Sequence, residues 1–206
     1  GDFRFGTVAE YGEYSRRHPG LAGKPHACPE LLAQSVYGVP ELNRARLRGA
    51  RLVGNPGCFA VAMILGLAPA VRHGLIELDG IVSDGKSGSS GAGKKPSAAH
   101  HFPERNENVT PYRIGSHQHA VEATQHLGRY ADTRVGLTFV PHLDPISRGI
   151  ECTIYAQLRE AVQLQYQQAF GERSRAAASI TARQRTAAQA QRVYDLTVLR
   201  YDQGLA

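Results

Sequence analysis

Residues 53–59 read Val-Gly-Asn-Pro-Gly-Cys-Phe, and their glycines and proline mark an abrupt turn that delivers Cys58 to the start of an apolar run. We expect Cys58 to occupy the first turn of a helix, where the positive end of the helix dipole favours a thiolate, the nucleophilic form of cysteine. A cysteine before an apolar run is also often a small buried hydrophobic residue. These seven residues alone leave both interpretations open.

The segments on either side of this turn predict a strand before it and a helix after it. Residues 41–49 form a polar, arginine-rich surface helix closed by glycine, and residues 50–53 form a brief strand. Residues 59–73 carry apolar side chains on nearly every face, which predicts a helix buried on more than one side and ended by Gly74. A strand, a tight turn and a helix in this order expose a nucleophile at the carboxyl edge of a sheet.

Length and composition indicate a globular protein with a substantial core. The chain has 206 residues, 42% of them apolar, without a run of about 18 uncharged apolar residues or the apolar core of a secretory signal at residue 1. Its three cysteines are an odd number at no metal-like spacing. We therefore expect a cytoplasmic protein with reduced thiols, no membrane partner for its main body and no bound metal.

The net charge of +6 is concentrated in the C-terminal part of the chain. Residues 173–206 contain six Arg and two Asp and contribute +4, which leaves +2 for residues 1–172. Because no basic stripe with interleaved aromatic residues runs through the main body, we expect no nucleic-acid partner. Anionic small molecules fit this composition.

Residues 84–95, rich in glycine, serine and lysine, form the next loop after a predicted strand at 80–83. The functional interpretation is a phosphate cradle built from backbone amides and ammonium groups. The alternative is a flexible surface loop, because the spacing matches neither known phosphate-binding fingerprint.

Five of the nine histidines fall between residues 100 and 126, and the pair His117 and His119 stands out. In a strand, both rings of His-Gln-His would point to one face, since side chains alternate with period two. A metal site lacks a third ligand at suitable spacing. A pair of histidines that exchanges protons with a cysteine thiolate is the simpler interpretation, because it requires no third ligand.

The remaining segments predict a mixture of helix and strand. Residues 123–130 form an amphipathic helix, residues 135–142 an alternating strand closed by proline, and residues 150–156 a strand in which Cys152 packs. Arg148 lies in the turn between these strands. It is either an anion clamp or part of a capped turn.

Five motifs follow one another in order: Asn-Pro-Gly-Cys at 55–58, Ser-Gly-Ser-Ser-Gly-Ala-Gly at 87–93, Asn-Glu-Asn at 106–108, Gly-Ser-His-Gln-His at 115–119 and Pro-His-Leu-Asp-Pro-Ile-Ser-Arg-Gly at 141–149. Over roughly the first 172 residues this order resembles N-acetyl-gamma-glutamyl-phosphate reductase of arginine biosynthesis. The resemblance implies a relation to aspartate-semialdehyde and glyceraldehyde-phosphate dehydrogenases. In these enzymes a cysteine attacks an acyl phosphate and NADPH reduces the resulting thioester to an aldehyde.

The resemblance also implies roles for individual residues. Cys58 corresponds to the nucleophile, His117 to the acid/base group and His119 to a substrate-positioning or second acid/base group. Two further sets of contacts are implied, with the cofactor NADP(H) at Ser87, Gly88, Ser90, Gly91 and Pro141, and with the substrate at Asn55, Arg148 and Glu122. One departure is His-Gln-His, where the family more often has His-Arg-His.

The implied fold is α+β, a glyceraldehyde-phosphate-dehydrogenase-like catalytic domain with a mixed or antiparallel sheet, flanking helices and a long C-terminal helix. We expect residues 1–50 to be the edge of the cofactor domain, residues 51–172 the catalytic and dimerisation domain, and residues 173–206 a helical tail spanning 176–200. The intact family member is expected to be a homo-oligomer acting on a small-molecule acyl phosphate. The family's N-terminal dinucleotide-binding (Rossmann) segment would precede residue 1, so we expect these residues alone to bind NADP(H) weakly.

Two alternatives accompany this interpretation. Residues 100–105, His-His-Phe-Pro-Glu-Arg, resemble a segment of the lysine-pathway reductase that acts on carrier-linked aminoadipyl phosphate. Residues 182–206 weakly resemble a helix of outer-membrane efflux channels, which would make the chain a non-catalytic fusion or interaction fragment. Asn-Pro-Gly-Cys and Asn-Glu-Asn favour the arginine-pathway enzyme.

Overall fold

A computed structural model describes the backbone of residues 2–202 and the side chains of all of these except 176, 186, 190 and 192–202. The chain divides into two compact units, one up to Leu158 and one from Arg159. The helices of the first unit are α1 (Val8–Arg17), α2 (Pro40–Leu47), α3 (Cys58–Arg72), α4 (Phe102–Arg105) and α5 (Gln118–Ala131). Its strands are β1 (Val36–Tyr37), β2 (Val53–Gly54), β3 (Ile81–Ser87), β4 (Thr110–Pro111), β5 (Leu137–Leu143) and β6 (Ile150–Tyr155).

The main sheet has four strands in the order β4-β5-β3-β6. Strands β3 and β5 are parallel, with Ile81 opposite Leu137 and Ser87 opposite Leu143. Strands β6 and β4 are antiparallel to their neighbours. This mixed sheet with helices packed on it confirms the predicted α+β class.

The core lies between this sheet and the helices α3 and α5. Side chains along β3 alternate between buried and half-buried, so that Ile81, Ser83, Gly85 and Ser87 all face the buried side. A Cβ on Gly85 would come within 2.7 Å of the buried rings of Phe59 and Phe139, so this strand position requires glycine.

Helix α3 buries one broad face rather than several sides as predicted, because Gly66, Pro69 and Arg72 on the opposite side are exposed. Phe59, Met63, Ile64 and Leu67 are all almost fully buried in the main core cluster. The helix ends at Arg72, and Gly74 follows it with a φ of +60°, which agrees with the predicted stop.

A second, smaller cluster joins the N-terminal residues to α5. Phe5, Tyr11 and Tyr14 pack with Leu32 and with Val121 of α5. Helix α1 begins with a capping box, because Thr7 and Glu10 satisfy each other's backbone amides. This cluster fixes the N-terminal segment beside the turn that precedes Cys58.

Several predicted local structures are wrong. Residues 84–87, predicted to begin a loop, instead continue strand β3 to Ser87. His117 and His119 do not lie in a strand, because His117 is the N-cap of α5 and His119 lies in its first turn. Pro141 does not close its strand but lies inside β5, whose range extends to Leu143. The N and O atoms of a strand residue point to the same side, and the Pro141 carbonyl accepts a hydrogen bond from Tyr112 beside β4. The missing N–H of proline therefore costs no bond to β3.

The second unit is a single helix, α6 (Glu160–Asp202), of 43 residues. It begins well before the predicted start at residue 176, and the end of the tail, residues 203–206, lies outside the described residues. Apolar side chains such as Leu164, Tyr166, Phe170 and Ile180 are more than half exposed.

Candidate active site

Cys58 is the first residue of α3 and its side chain is exposed. Its neighbour Phe59 is 2% exposed and packs in the core. Because consecutive side chains of a helix point in different directions, the burial of Phe59 leaves Cys58 on the exposed side. Of the two interpretations of this cysteine, the structure therefore excludes the buried hydrophobic residue. The thiol lies at the amino end of a 15-residue helix, where the helix dipole stabilises a negative charge.

The loop before Cys58 is held by a buried carboxylate. Glu122 of α5 is fully buried, and its Oε1 accepts hydrogen bonds from the Gly57 amide at 2.9 Å and from the Tyr37 hydroxyl at 2.8 Å. Arg4 donates through Nε to the Asn55 carbonyl at 2.6 Å and lies 3.7 Å from Glu122 Oε1. Burial raises the pKa of Glu122, although the charge of Arg4 opposes this effect.

His117 caps α5 through its own ring. Its Nδ1 accepts a hydrogen bond from the backbone N–H of His119 at 3.1 Å, so the neutral ring carries its proton on Nε2. Burial, and after it the positive charge of Arg113, lowers the pKa of His117 to about 4. At neutral pH this ring is uncharged and can donate a hydrogen bond from Nε2.

His119 lies between His117 and the cysteine loop. The two ring centroids are 4.7 Å apart. A Cβ on Gly57 would collide with His119 Nε2 and would lie 2.8 Å from Glu122 Oε2, so the ring packs directly against the residue before Cys58. Burial, followed by the neighbouring His117, lowers the pKa of His119 to about 3, and its Nδ1 is buried without a hydrogen-bond partner.

These groups open onto a cavity of about 620 Å³. Among the residues predicted for the site, seven line this cavity: Cys58, Ser87, Gly88, Ser90, Gly91, His117 and His119. Four do not line it: Asn55, Glu122, Pro141 and Arg148. Glu122 instead accepts a hydrogen bond from the cysteine loop, and Asn55 belongs to that loop and accepts one from Arg4 through its carbonyl. Pro141 is buried in β5, and the side chain of Arg148 is exposed.

The first residues of the loop at 87–93 pair with another part of the chain. The amides of Gly88, Ser89 and Ser90 donate to carbonyls of the turn at 146–149, each at 3.0 Å. A Cβ on Gly88 would lie 2.7 Å from the Arg148 backbone nitrogen. The loop is therefore fixed by pairing rather than flexible, and these three amides are not free to bind an anion.

Comparison with known proteins places this geometry in a family. Residues 58–200 match the profile of the dimerisation domain of semialdehyde dehydrogenases. The chain belongs to the semialdehyde dehydrogenase family.

Three curated relatives of this semialdehyde dehydrogenase domain are each named N-acetyl-gamma-glutamyl-phosphate reductase. The protein from Nitrosospira multiformis is 45% identical over 164 residues, covering 80% of this chain and 46% of that protein. The protein from Clostridium botulinum strain Alaska E43 is 44% identical over 79% of this chain and 45% of its own length. The protein from Desulforudis audaxviator is 49% identical over 76% of this chain and 43% of its own length. The resemblance predicted from the motifs is confirmed, and the chain spans about half the length of these relatives.

Tyr112 and Arg105 are among the residues that line the cavity of this semialdehyde dehydrogenase domain and that sequence reasoning did not assign to the site. Tyr112, which follows β4, lies 5.7 Å from the His117 ring by centroid distance, and burial raises the pKa of its hydroxyl. Arg105, the last residue of α4, also lines the cavity. The segment containing Arg105 drew attention only through its resemblance to the lysine-pathway enzyme. The relatives above carry the name of the arginine-pathway reductase instead, so that alternative is not favoured.

Within residues 2–202, no helix combines the length and the apolar character needed to cross a membrane, α6 included. In the same part of the chain, no group of three His, Cys, Asp or Glu side chains has a metal-binding arrangement.

Proposed function

We propose that this chain is the acyl-phosphate-processing part of an N-acetyl-gamma-glutamyl-phosphate reductase of arginine biosynthesis. The observation that carries the proposal is an exposed cysteine at the amino end of a buried helix, in one cavity with two neutral histidines. The names of the relatives support the choice of substrate.

In the proposed reaction, the Cys58 thiolate attacks the carbonyl carbon of the acyl phosphate. The bond between that carbon and the phosphate oxygen breaks, inorganic phosphate leaves, and a thioester remains on Sγ. The amino end of α3 stabilises the thiolate before the attack. Its position is maintained by Glu122 and Arg4, which fix the two residues on either side of Pro56.

We assign different roles to the two histidines. His117 keeps Nδ1 engaged with a backbone amide, so its Nε2–H is the donor that stabilises charge developing on the acyl oxygen. His119 packs against Gly57 with its Nδ1 buried and unpaired, and we assign it substrate positioning, because a ring whose pKa burial lowers to about 3 cannot hold the thiol proton at neutral pH. Both assignments use the rings in the uncharged state that burial imposes.

The residues present are compatible with the nicotinamide end of NADP(H). Gly91 lines the cavity, and a Cβ placed on it would meet no atom within 4 Å, so the loop leaves space there. Ser87, Gly88 and Ser90 line the same side and would contact that end of the cofactor. When bound, NADPH supplies the hydride that reduces the acyl group to the aldehyde.

The described residues provide no comparable site for the pyrophosphate of the cofactor. Gly85, Gly88 and Gly91 do have the spacing of a Gly-x-x-Gly-x-x-Gly turn at the end of a strand. They lead into a short 3₁₀ turn, Ser89–Ala92, rather than into an α-helix, so no helix N-terminus faces a phosphate there. Tight dinucleotide binding in the proposed enzyme therefore requires residues other than these.

The proposal extends to assembly and domain organisation. The matched profile describes a dimerisation domain, which supports a homo-oligomer for the whole protein, and we place the enzyme in the cytoplasm. Residues 1–50 would form the edge of a cofactor domain, residues 51–172 would hold catalysis and dimerisation, and residues 173–206 would be a tail of separate origin. The unit boundary at residues 158/159 lies before the last of these divisions.

The acylation half-reaction tests the proposal without a cofactor. The purified chain is incubated with N-acetyl-gamma-glutamyl phosphate generated in place by a kinase, quenched with acid and analysed by peptide mass spectrometry. We expect phosphate release together with an acyl adduct on Cys58, both lost in Cys58→Ser and retained in Cys152→Ser. Phosphate release that is equal in the Cys58→Ser variant, or an adduct spread over all cysteines, would refute the proposed function.

A further inference from the structure

The guanidinium of Arg105 is fixed at the wall of the cavity by two strands. Its Nη1 donates to the Leu143 carbonyl at the end of β5, at 3.2 Å, and its Nη2 donates to Thr110 Oγ1 in β4, at 2.8 Å. Both partners also line the cavity. The charge is therefore held in one place without the entropy cost that a free surface arginine would meet on binding a ligand.

Most of the hydrogen-bonding capacity of Arg105 is unused. A guanidinium carries five N–H donors, and the two bonds to Leu143 and Thr110 use two of them. Its Nε is buried and has no partner. In the part of the chain that the structure describes, no carboxylate oxygen lies within 4.0 Å of this side chain. The charge thus has no counter-ion of its own.

The surroundings of Arg105 leave it as the main anion receptor of the cavity. Among the described residues that line the cavity, it is the one Arg or Lys. The amides of Gly88, Ser89 and Ser90 are already paired. His117 and His119 are held neutral by burial. A fixed guanidinium without a carboxylate partner, lining the same cavity as the Cys58 thiol, suits a planar carboxylate or a phosphate, which it can bind through two parallel hydrogen bonds.

We propose that Arg105 binds an oxyanion of the substrate, either a carboxylate or the phosphoryl group, and so selects anionic acyl phosphates for attack by Cys58. This inference rests on the proposed function for the identity of the substrate. It assigns to Arg105 the anion contact that the motif pattern had assigned to Arg148, whose side chain lies outside the cavity lining.

Two alkylating reagents of similar size but different charge test the assignment. Iodoacetate is an anion and iodoacetamide is neutral, and both form the same kind of bond to the Cys58 sulfur. Rates at Cys58 are measured at low ionic strength by site-resolved mass spectrometry. We expect Arg105→Gln to lower the ratio of the iodoacetate rate to the iodoacetamide rate about tenfold, because the carboxylate of iodoacetate loses its positively charged partner. The iodoacetamide rate should change less than about twofold, which reports that the fold and the thiol are intact.

Lys95→Gln is the matched control. It removes one positive charge from an exposed position near the cavity loop, and the rate ratio should stay within about twofold of the unmodified chain. Equal rate ratios in Arg105→Gln and in the unmodified chain would overturn the proposal. So would equal losses in Arg105→Gln and Lys95→Gln, because these would indicate a general surface field.

Protection experiments identify the group that Arg105 receives. Inorganic phosphate and N-acetylglutamate are added separately while Cys58 is alkylated with iodoacetamide. Protection by phosphate alone assigns the phosphoryl group, and protection by N-acetylglutamate alone assigns a carboxylate, provided that Arg105→Gln abolishes it. Protection by neither anion, or protection unchanged in Arg105→Gln, contradicts the inference. An acyl adduct on Cys58 without these effects would leave the proposed function standing and refute only the role of Arg105.

Discussion

Acidification is expected to destabilise the first unit through His126, a buried histidine of α5. Its Nε2 donates to the Arg4 carbonyl at 2.9 Å, its Nδ1 accepts from Arg129 Nη1 at 3.3 Å, and its ring stacks on Tyr37. A proton added to Nδ1 would face the Arg129 guanidinium. Burial, followed by this positive neighbour, lowers the pKa of His126 to about 3.

The size of the effect follows from the difference between the folded and unfolded pKa of His126. The unfolded side chain has the ordinary value of 6.5, so below that pH the unfolded state binds a proton that the folded state excludes. The stability that neutral His126 provides is therefore complete above pH 6.5 and is lost as the pH falls towards about 3. Between pH 7 and pH 5 this one residue should lower the free energy of unfolding by about 2 kcal/mol.

Urea unfolding at pH 7 and at pH 5 measures this loss. In His126→Gln, the decrease between the two pH values should be smaller than in the unmodified chain by about 2 kcal/mol, whatever the stability of the variant at pH 7. His101→Gln, at an exposed position, should leave the decrease unchanged. Parallel pH dependences for His126→Gln and the unmodified chain would show that burial does not hold this ring neutral.

Three further outcomes concern packing and surface charge. Leu127 is fully buried in α5, so Leu127→Ala should lower the free energy of unfolding in urea by about 2–5 kcal/mol, whereas Leu164→Ala, more than half exposed in α6, should change it by less than about 0.5 kcal/mol. Arg129 Nη2 lies 2.7 Å from Glu10 Oε1 near the surface, and a double-mutant cycle should give a coupling energy below about 1 kcal/mol; a larger value would contradict solvent screening of this pair. Gly57→Ala would drive a Cβ into buried side chains of α5, and we expect a loss of at least about 2 kcal/mol with slower alkylation of the adjacent thiol. Unchanged stability and alkylation would refute the close packing at this glycine.

The local features of the site could be predicted from the sequence because local chemistry determines them. The turn at 53–59 must bend where glycine and proline stand, and the apolar run behind it must be buried, so Cys58 begins a buried helix. The period-two argument for His117 and His119 failed because His117 caps a helix through its ring nitrogen. Histidine is not among the residues that normally signal an N-cap, so the pattern gave no warning.

The contacts between distant segments could not be predicted in the same way. Nothing in the sequence indicates that the carboxylate of Glu122 will accept a hydrogen bond from the amide of Gly57. Nothing in it indicates that Arg105 will line a cavity. Glycine, serine and lysine at 84–95 suggested an anion cradle, but the carbonyls of the turn at 146–149 occupy three of its amides. Which partner a polar group finds depends on tertiary packing, which composition does not specify.

The hydrogen bonds that join the cysteine loop to Arg4 and Glu122 determine when the reactive centre can form during folding. The Arg4–Asn55 bond spans 51 residues and the Gly57–Glu122 bond spans 65. During synthesis from the amino end, Cys58 leaves the ribosome long before Glu122 exists, so the loop cannot acquire its final geometry until α5 has been made and has docked. Chain entropy opposes the closing of loops of this length. The nascent chain therefore carries an unpositioned thiol, and the reactive arrangement appears only when the main body of the domain is complete.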